Sequence, residues 1–199
     1  MEPITRLSQL DFDKSYTYAD YLTWKFEELV EVIKGKLMRP MAGPSTRHQR
    51  VSRRLGYAIE SVVRKGPCEM FQAPFDVRLS RSTASGDAQI KTVVQPDIFV
   101  VCDREKIDER GCLGAPDWII EILSPGNVLH DTKTKFDLYE ENGVREYWIV
   151  YPGEKTVLVY VLDAHGRYQP VGEYAEPGPV PATAVPGLVL EWADVFDDL

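Results

Sequence analysis

Two short apolar runs, each carrying one carboxylate, constrain the fold of this chain more than any other feature. Asp97 precedes the run Ile-Phe-Val-Val, and Glu121 lies inside Trp-Ile-Ile-Glu-Ile-Leu at residues 118–123. Runs this short, bounded by Pro and Gly and rich in Ile and Val, are typical of buried strands. A buried carboxylate is costly unless it is paired. The pattern therefore predicts either a cation shared by the two acids or solvated positions, in which Asp97 caps a turn and Glu121 points outward.

A divalent cation would remove both the burial cost and the repulsion between the two acids. Hard cations such as Mg²⁺ take oxygen ligands and are often held by one or two carboxylates together with substrate phosphate. Residues 131–139, DTKTKFDLY, follow with helical spacing, and such a helix can bring Lys135 back over the sheet. Two carboxylates, a metal ion and a lysine form a set of groups suited to phosphodiester hydrolysis.

The composition indicates an ordinary globular chain. Its 199 residues suit one sizeable core, so a single domain over residues 1–199 is expected, with residues 1–16 as a lead-in. No apolar run approaches the roughly 20 residues that span a bilayer, and the N-terminus lacks a signal-peptide profile. Three cysteines without paired-ligand spacing favour a reducing cytoplasm and argue against a zinc site.

The charge distribution limits how the chain can bind nucleic acid. A net charge of −8 argues against indiscriminate binding and predicts weak DNA affinity unless a metal, a local patch or oligomer symmetry contributes. The helix predicted at residues 46–64 carries Arg50 and Arg54, with Arg39 before it. These arginines either contact substrate phosphates or form a solvated helix surface. His48, near the inward face, is either a hydrogen-bonded buried histidine or a neighbour of the site.

Helical and strand-like patterns alternate along the chain. Helices are predicted at 18–29, 46–64, 129–142 and 192–196, and strands at 30–33, 36–41, 69–79, 95–101, 117–124, 146–151, 157–162, 168–174 and 188–190. A mobile polar loop at 80–91, a charged connector at 103–115, a turn at 124–127 and a proline-rich wrapping segment at 176–187 complete the prediction. The fold class is therefore α/β or α+β, with a mixed β-sheet flanked by helices.

The order of the motifs resembles a known family. They are PDIFVV, WIIEILSP, D-x3-K-x3-Y and GVREYWIV, preceded by YTYADYL, VEVIKGKLMRP and a single His before a helix. This series resembles the Uma-two type endonucleases of the PD-(D/E)XK nuclease superfamily, to which many restriction enzymes belong. The resemblance covers roughly residues 16–199. It implies a restriction-endonuclease-like core, a mixed sheet flanked by helices with the site at one end.

The resemblance also implies roles for individual residues. Asp97 matches the acid of the PD motif, and Glu121 matches the acid of the second motif. Leu123 stands where the superfamily has its lysine, and Lys135 matches a lysine that the following helix supplies in this family. Glu31 matches an N-terminal acidic position that joins the site.

The implied activity is Mg²⁺-dependent hydrolysis of phosphodiester bonds in nucleic acid, with DNA as the expected substrate and Mn²⁺ as an alternative ion. The ion would be held by Asp97, Glu121 and the backbone carbonyl of Ile122, where it would activate a water and polarise the phosphate. Lys135 would orient that water or offset developing charge, whereas Tyr139 is expected to pack rather than react. A homodimer is expected, because two sites related by a two-fold axis are the simplest way to cut a duplex.

Two hypotheses from other functional classes remain. One is a catalytically idle module that kept the fold and binds nucleic acid or a protein. The presence of both acids and Lys135 counts against such a loss of the catalytic site. The other is a metal-dependent hydrolase of a small phosphoester, which suits an acidic chain. Metal-dependent nicking of plasmid DNA separates the endonuclease from the first, and a screen of small phosphoesters tests the second.

Overall fold

The computed structural model describes residues 3–38, 43–80, 86–124 and 130–199. The helices in these ranges are α1 (Tyr18–Tyr21), α2 (Thr46–Val63), α3 (His130–Asn142) and α4 (Trp192–Phe196). The strands are β1 (Glu31–Ile33), β2 (Lys36–Met38), β3 (Glu69–Gln72), β4 (Val77–Arg78), β5 (Val93–Val94), β6 (Ile98–Val101), β7 (Ile107–Asp108), β8 (Gly111–Leu113), β9 (Trp118–Ile122), β10 (Glu146–Tyr151), β11 (Thr156–Leu162), β12 (Tyr168–Tyr174), β13 (Pro179–Pro181) and β14 (Val189–Glu191). Several predicted features lie outside the described residues: Arg39, the end of the second hairpin arm at 39–41, loop residues 81–85, the turn at 125–127 and the helix start at Leu129.

Two mixed six-stranded sheets form the framework. Sheet A has the order β2-β1-β5-β4-β8-β7, sheet B has the order β12-β11-β10-β9-β6-β3, and β13 pairs with β14 in a separate hairpin. The parallel pairs are β4 with β8 and β9 with β10. Parallel neighbours need a crossover connection, and α3 supplies it between β9 and β10. The α+β class with mixed sheets and flanking helices is the one that the sequence predicts.

Sheet B separates two apolar layers, since side chains alternate between the faces of a strand. Leu55 of α2 and Trp118 of β9 belong to the cluster on one face. Leu138 of α3 packs in the cluster on the other face, with Phe99 of β6 and Ile119 of β9. Burial on both faces explains why these strands read as nearly continuous apolar runs rather than as alternating ones.

The elements with strong local signals match their predictions. The helix predicted at 46–64 is α2, whose N-terminus is capped by Ser45 through a 3.1 Å bond from the backbone N–H of His48 to its Oγ. The helix α3 ends at Asn142, before Gly143 with φ 82°, because a left-handed residue stops the helix. Lys34 and Gly35 turn the β1–β2 hairpin with φ of 51° and 83°.

Two predicted elements differ in the structure. The helix predicted at 18–29 is only the single turn α1, because beyond it the backbone N–H of Lys25 donates to the Ile4 carbonyl at 2.7 Å. The strand predicted at 69–79 is two strands, β3 in sheet B and β4 in sheet A. Pro74 lies between them, and proline lacks the N–H that a continuous ladder would need.

Three other segments also differ from their predictions. The connector predicted at 103–115 contains the hairpin β7–β8. The strand predicted at 95–101 begins only at Ile98, since the chain passes from β5 of sheet A to β6 of sheet B between residues 94 and 98. The proline-rich segment contains β13, whose Val180 pairs with Leu190 of β14. Glu146, fully buried, holds this segment by accepting bonds from the backbone N–H groups of Thr183 and Ala184 at 2.7 and 2.5 Å.

The cysteines show a pairing that the sequence did not predict. A disulfide joins Cys68 and Cys102 beside the β3–β6 ladder. Cys112 is a buried free thiol, and burial raises its pKa to about 12. Because disulfides persist mainly in oxidising compartments, the cytoplasmic location stays a prediction. Among the described helices, none is both long enough and apolar enough to cross a bilayer.

Candidate active site

Asp97 and Glu121 face each other across neighbouring strands. β6 pairs antiparallel with β9 in the register Ile98↔Ile120. Continued by one residue, this register sets Asp97 opposite Glu121, and directly opposed residues of an antiparallel pair carry their side chains on the same face. The backbone N–H of Ile122 donates to Oδ2 of Asp97 at 2.7 Å. The pairing of strands β6 and β9 therefore brings the two predicted acids together.

Lys135 bridges two of the predicted acids. It lies on α3, and its Nζ is 3.0 Å from Oε1 of Glu121 and 3.1 Å from Oε1 of Glu31. Glu31 belongs to β1 of the other sheet, and its Oε1 also accepts the backbone N–H of Gln95 at 2.9 Å. The lysine thus ties sheet A to sheet B at the point where the acids meet.

Tyr139 also contacts the acids, which the sequence analysis did not predict. It lies one turn after Lys135 on α3, is fully buried, and donates its hydroxyl to Oε1 of Glu121 at 2.6 Å. Tyr147 packs against it edge to face, with ring centroids 5.1 Å apart. The spacing of four residues between Lys135 and Tyr139 was the available signal, because residues four apart share one helix face.

His48 reaches Asp97 from the opposite side of sheet B. It is buried in the first turn of α2, and its Nε2 is 3.1 Å from Oδ1 of Asp97. Its Nδ1 is buried and has no hydrogen-bond partner among the described residues. His48 is thus a buried, hydrogen-bonded histidine that also lies beside Asp97, and its role in binding substrate stays a prediction.

Burial and neighbouring charges both shift the pKa values of Glu121, Lys135 and His48. Burial raises the pKa of Glu121 to about 7, and the charges of Asp97 and Glu31 raise it further, while Lys135 opposes them. Burial lowers the pKa of Lys135, but the charges of Glu121 and Glu31 outweigh burial and raise it. Burial also lowers the pKa of His48, but its bond to Asp97 and the charges of Asp97 and Glu121 raise it overall.

The donor set fits a hard divalent cation. The site contains three carboxylates, those of Glu31, Asp97 and Glu121. The basic groups that contact them are the ammonium of Lys135 and the imidazole of His48. Both donors to Glu121 contact Oε1, and within the described ranges no side chain donates to Oε2. No cluster of three or more His, Cys, Asp or Glu side chains converges on one metal position in the part of the chain described. The available pair is what Mg²⁺ uses, with one or two carboxylates and the remaining positions filled by water or phosphate.

The two predicted substrate-binding arginines lie in different surroundings. Arg50 is exposed on α2, two residues after His48. Arg54 donates from one guanidinium nitrogen to the backbone carbonyls of Val195, at 3.2 Å, and Asp197. Arg54 also lines a groove between α2 and the C-terminal segment, with Tyr57 and Val189 among its walls, and the three acids of the candidate site do not line it. Contact with phosphate stays a prediction for both arginines.

Comparisons with known proteins identify the family and the fold. A family model named Uma2 and described as "Putative restriction endonuclease" matches residues 18–193. An uncharacterized protein of Synechocystis sp. is 24% identical over 152 residues, which are 75% of each chain. The crystal structure of a "putative nuclease belonging to DUF820" from Anabaena variabilis superimposes with a TM-score of 0.70 at 26% identity, covering 91% of this chain and 97% of that one. With a match that spans most of its length, this chain belongs to the Uma2 family.

Proposed function

We propose that this protein is a divalent-metal-dependent endonuclease that hydrolyses phosphodiester bonds in nucleic acid, with DNA as its substrate. The observation that carries the proposal is the arrangement of Asp97 and Glu121 across β6 and β9 with Lys135 3.0 Å from Glu121. Membership of a family described as "Putative restriction endonuclease" supports the same reaction class. A cation held by the two carboxylates, together with the ammonium of Lys135, would suit a reaction in which negative charge develops on a phosphate.

Asp97, Glu121 and the backbone carbonyl of Ile122 would hold the Mg²⁺ or Mn²⁺ ion. A cation held there supplies Lewis acidity and lowers the pKa of a bound water. The side chains prepare this site by fixing the acids. His48 and the N–H of Ile122 each hold one oxygen of Asp97, at 3.1 and 2.7 Å. A site held in place before substrate arrives avoids reorganisation during the reaction.

Lys135 is placed to act on the phosphate or on the attacking water. The charges of Glu121 and Glu31 outweigh burial and raise the pKa of Lys135, which favours its ammonium form, and an ammonium can stabilise negative charge or orient a water oxygen. Glu31 and Glu121 hold it between them at 3.1 and 3.0 Å. Arg50, exposed two residues after His48 on α2, is proposed to contact substrate phosphate.

Incubation of the purified protein with supercoiled plasmid, single-stranded DNA and RNA, with Mg²⁺ or Mn²⁺, tests this function. Cleavage is expected only with the divalent ion, and Asp97→Asn should lower its rate by about 100-fold or more, because it removes a carboxylate from the metal site. The matched control is Asp137→Asn, the same chemical change at an exposed position of α3.

The outcomes separate the three functional classes. Cleavage that Asp97→Asn abolishes and Asp137→Asn leaves unchanged would support the proposal. Binding of nucleic acid without cleavage, at any metal concentration, would identify an idle module. Hydrolysis of a small phosphodiester such as bis(p-nitrophenyl) phosphate without cleavage of any nucleic acid would assign the protein to small phosphoesters instead.

A further inference from the structure

Glu121 is held asymmetrically, and the asymmetry concerns one oxygen. Its Oε1 accepts bonds from Lys135 at 3.0 Å and from the hydroxyl of Tyr139 at 2.6 Å. Among the described residues, no side chain donates to Oε2. The terminal torsion of a glutamate is broad, so an unrestrained carboxylate could present either oxygen to a ligand. Two fixed donors on one oxygen remove that freedom.

Tyr139 is a rigid donor, whereas Lys135 is a flexible one. The Tyr139 side chain is fully buried and packs 5.1 Å from the Tyr147 ring. Its hydroxyl is the shorter of the two contacts to Glu121. Lys135 is shared with Glu31, so its position depends on a second carboxylate. The tyrosine is therefore the group that fixes the orientation of Glu121 most directly.

We propose that Tyr139 is a positioning residue that turns Oε2 of Glu121 toward the divalent cation shared with Asp97. This inference rests on the proposed function, because it assigns the role of a side chain toward the metal of that same site. Tyr139 does not contact the cation. It acts by occupying Oε1, so that the ion meets a carboxylate already turned in the binding direction. Groups that orient metal ligands in this way typically change metal affinity or activity by 10- to 100-fold when they are removed.

The chain offers a matched pair of substitutions for the test. Tyr139→Phe removes the hydroxyl bonded to Glu121 and keeps the ring contacts of the aromatic cluster. Tyr147→Phe removes a hydroxyl from the neighbouring ring, equally buried, that has no hydrogen-bond partner among the described residues. The two variants therefore differ in whether the lost hydroxyl held the carboxylate. Melting temperatures measured without metal show whether either change disturbs the fold.

Metal affinity is the decisive measurement. Binding of Mn²⁺ is followed from the electron paramagnetic resonance signal of the free ion, for the wild type, Tyr139→Phe, Tyr147→Phe and Asp97→Asn. Tyr139→Phe is expected to weaken Mn²⁺ binding by about 10- to 100-fold, while Tyr147→Phe binds as the wild type does. Plasmid cleavage by Tyr139→Phe should recover when Mg²⁺ is raised to saturation, a rescue that a packing defect would not show.

Each result has one meaning. Wild-type affinity in Tyr139→Phe, or an equal loss in Tyr147→Phe, would overturn the positioning role and leave the proposed function intact. Mn²⁺ binding that Asp97→Asn does not change would place the metal elsewhere, and that result would overturn the proposed metal site together with this inference.

Discussion

At the scale of single residues, one carboxylate oxygen of Glu121 and one of Glu31 each accept two hydrogen bonds. Oε1 of Glu121 accepts from Lys135 and Tyr139, and Oε1 of Glu31 accepts from Lys135 and the backbone of Gln95. Hydrogen bonds that involve an ion are roughly twice as strong as neutral ones. Because these groups share partners, the effects of substituting two of them should not add.

Glu31 should support catalysis without holding the metal, because its Oε1 is engaged by Lys135 and Gln95. Glu31→Gln keeps an acceptor oxygen for both donors but removes the charge that holds the ammonium. We expect a loss of about 10- to 100-fold in the rate of plasmid cleavage at saturating metal, with unchanged Mn²⁺ affinity. Glu28→Gln, at an exposed position before β1, is the control. A parallel fall in Mn²⁺ affinity would instead make Glu31 a metal ligand.

The residues that sequence motifs identify differ in kind from those they miss. Asp97, Glu121 and Lys135 each stand out from their local sequence, the acids inside apolar runs and the lysine at helical spacing. Tyr139 contacts Glu121 only because of its rotamer and the packing of α3, and Gln95 contributes a backbone N–H that any residue type could supply. The helical spacing puts Tyr139 on the same face of α3 as Lys135, but the sequence does not show that its hydroxyl bonds to Glu121, and the contact of Gln95 depends on tertiary structure alone.

At the scale of elements, sequence signals correctly predicted the helix ends and turns that depend on interactions between nearby residues. The cap at Ser45, the stop at Gly143 and the hairpin turn at Lys34 and Gly35 all act within a few residues. The errors arose where a distant segment competes for the same backbone. Ile4 takes the N–H of Lys25 and ends the predicted first helix, and two sheets divide the predicted strand around Pro74.

The basic surface of α2 should bind phosphate at its N-terminal end only. Arg50 is exposed in the second turn of α2, whereas Arg64 is exposed at the C-cap of the helix, about 21 Å further along at 1.5 Å per residue. Arg50→Ala should lower the magnitude of the salt slope of DNA binding by roughly 0.7 to 0.9, the value for one lost phosphate contact. The weakening should be similar for all DNA sequences, because phosphate contacts position the duplex without reading it.

The salt titration uses Asp97→Asn protein, which is expected to bind DNA without cutting it, and labelled duplexes of two unrelated sequences. Arg64→Ala, at the C-cap of the same helix, is the matched control, and its slope should equal that of the parent. Arg54 is unsuitable for this purpose because its guanidinium is bonded to the carbonyls of Val195 and Asp197. An unchanged slope for Arg50→Ala would assign Arg50 to the solvated surface.

At the scale of the whole molecule, the site exists only where separate layers meet. Glu31 comes from sheet A, Asp97 and Glu121 come from sheet B, and helices on opposite faces of sheet B supply His48 and Lys135. The sequence predicts each of these elements, but not the packing of one sheet against the other. The ion pair between Lys135 and Glu31 is therefore also a contact between the two sheets.

We predict that two chains act together on a duplex. One chain carries one pair of opposed acids, which suffices to cut one strand, and its net charge of −8 disfavours tight binding by a single copy. A two-fold axis would place a second site on the other strand and double the phosphate contacts, and cyclic dimers are the commonest soluble oligomers. Light scattering coupled to size exclusion should give twice the chain mass, and early plasmid products should include linear DNA formed in single encounters. A monomer at high protein concentration, with nicked circles accumulating before any linear product, would contradict the paired cut and leave an enzyme that cuts one strand at a time.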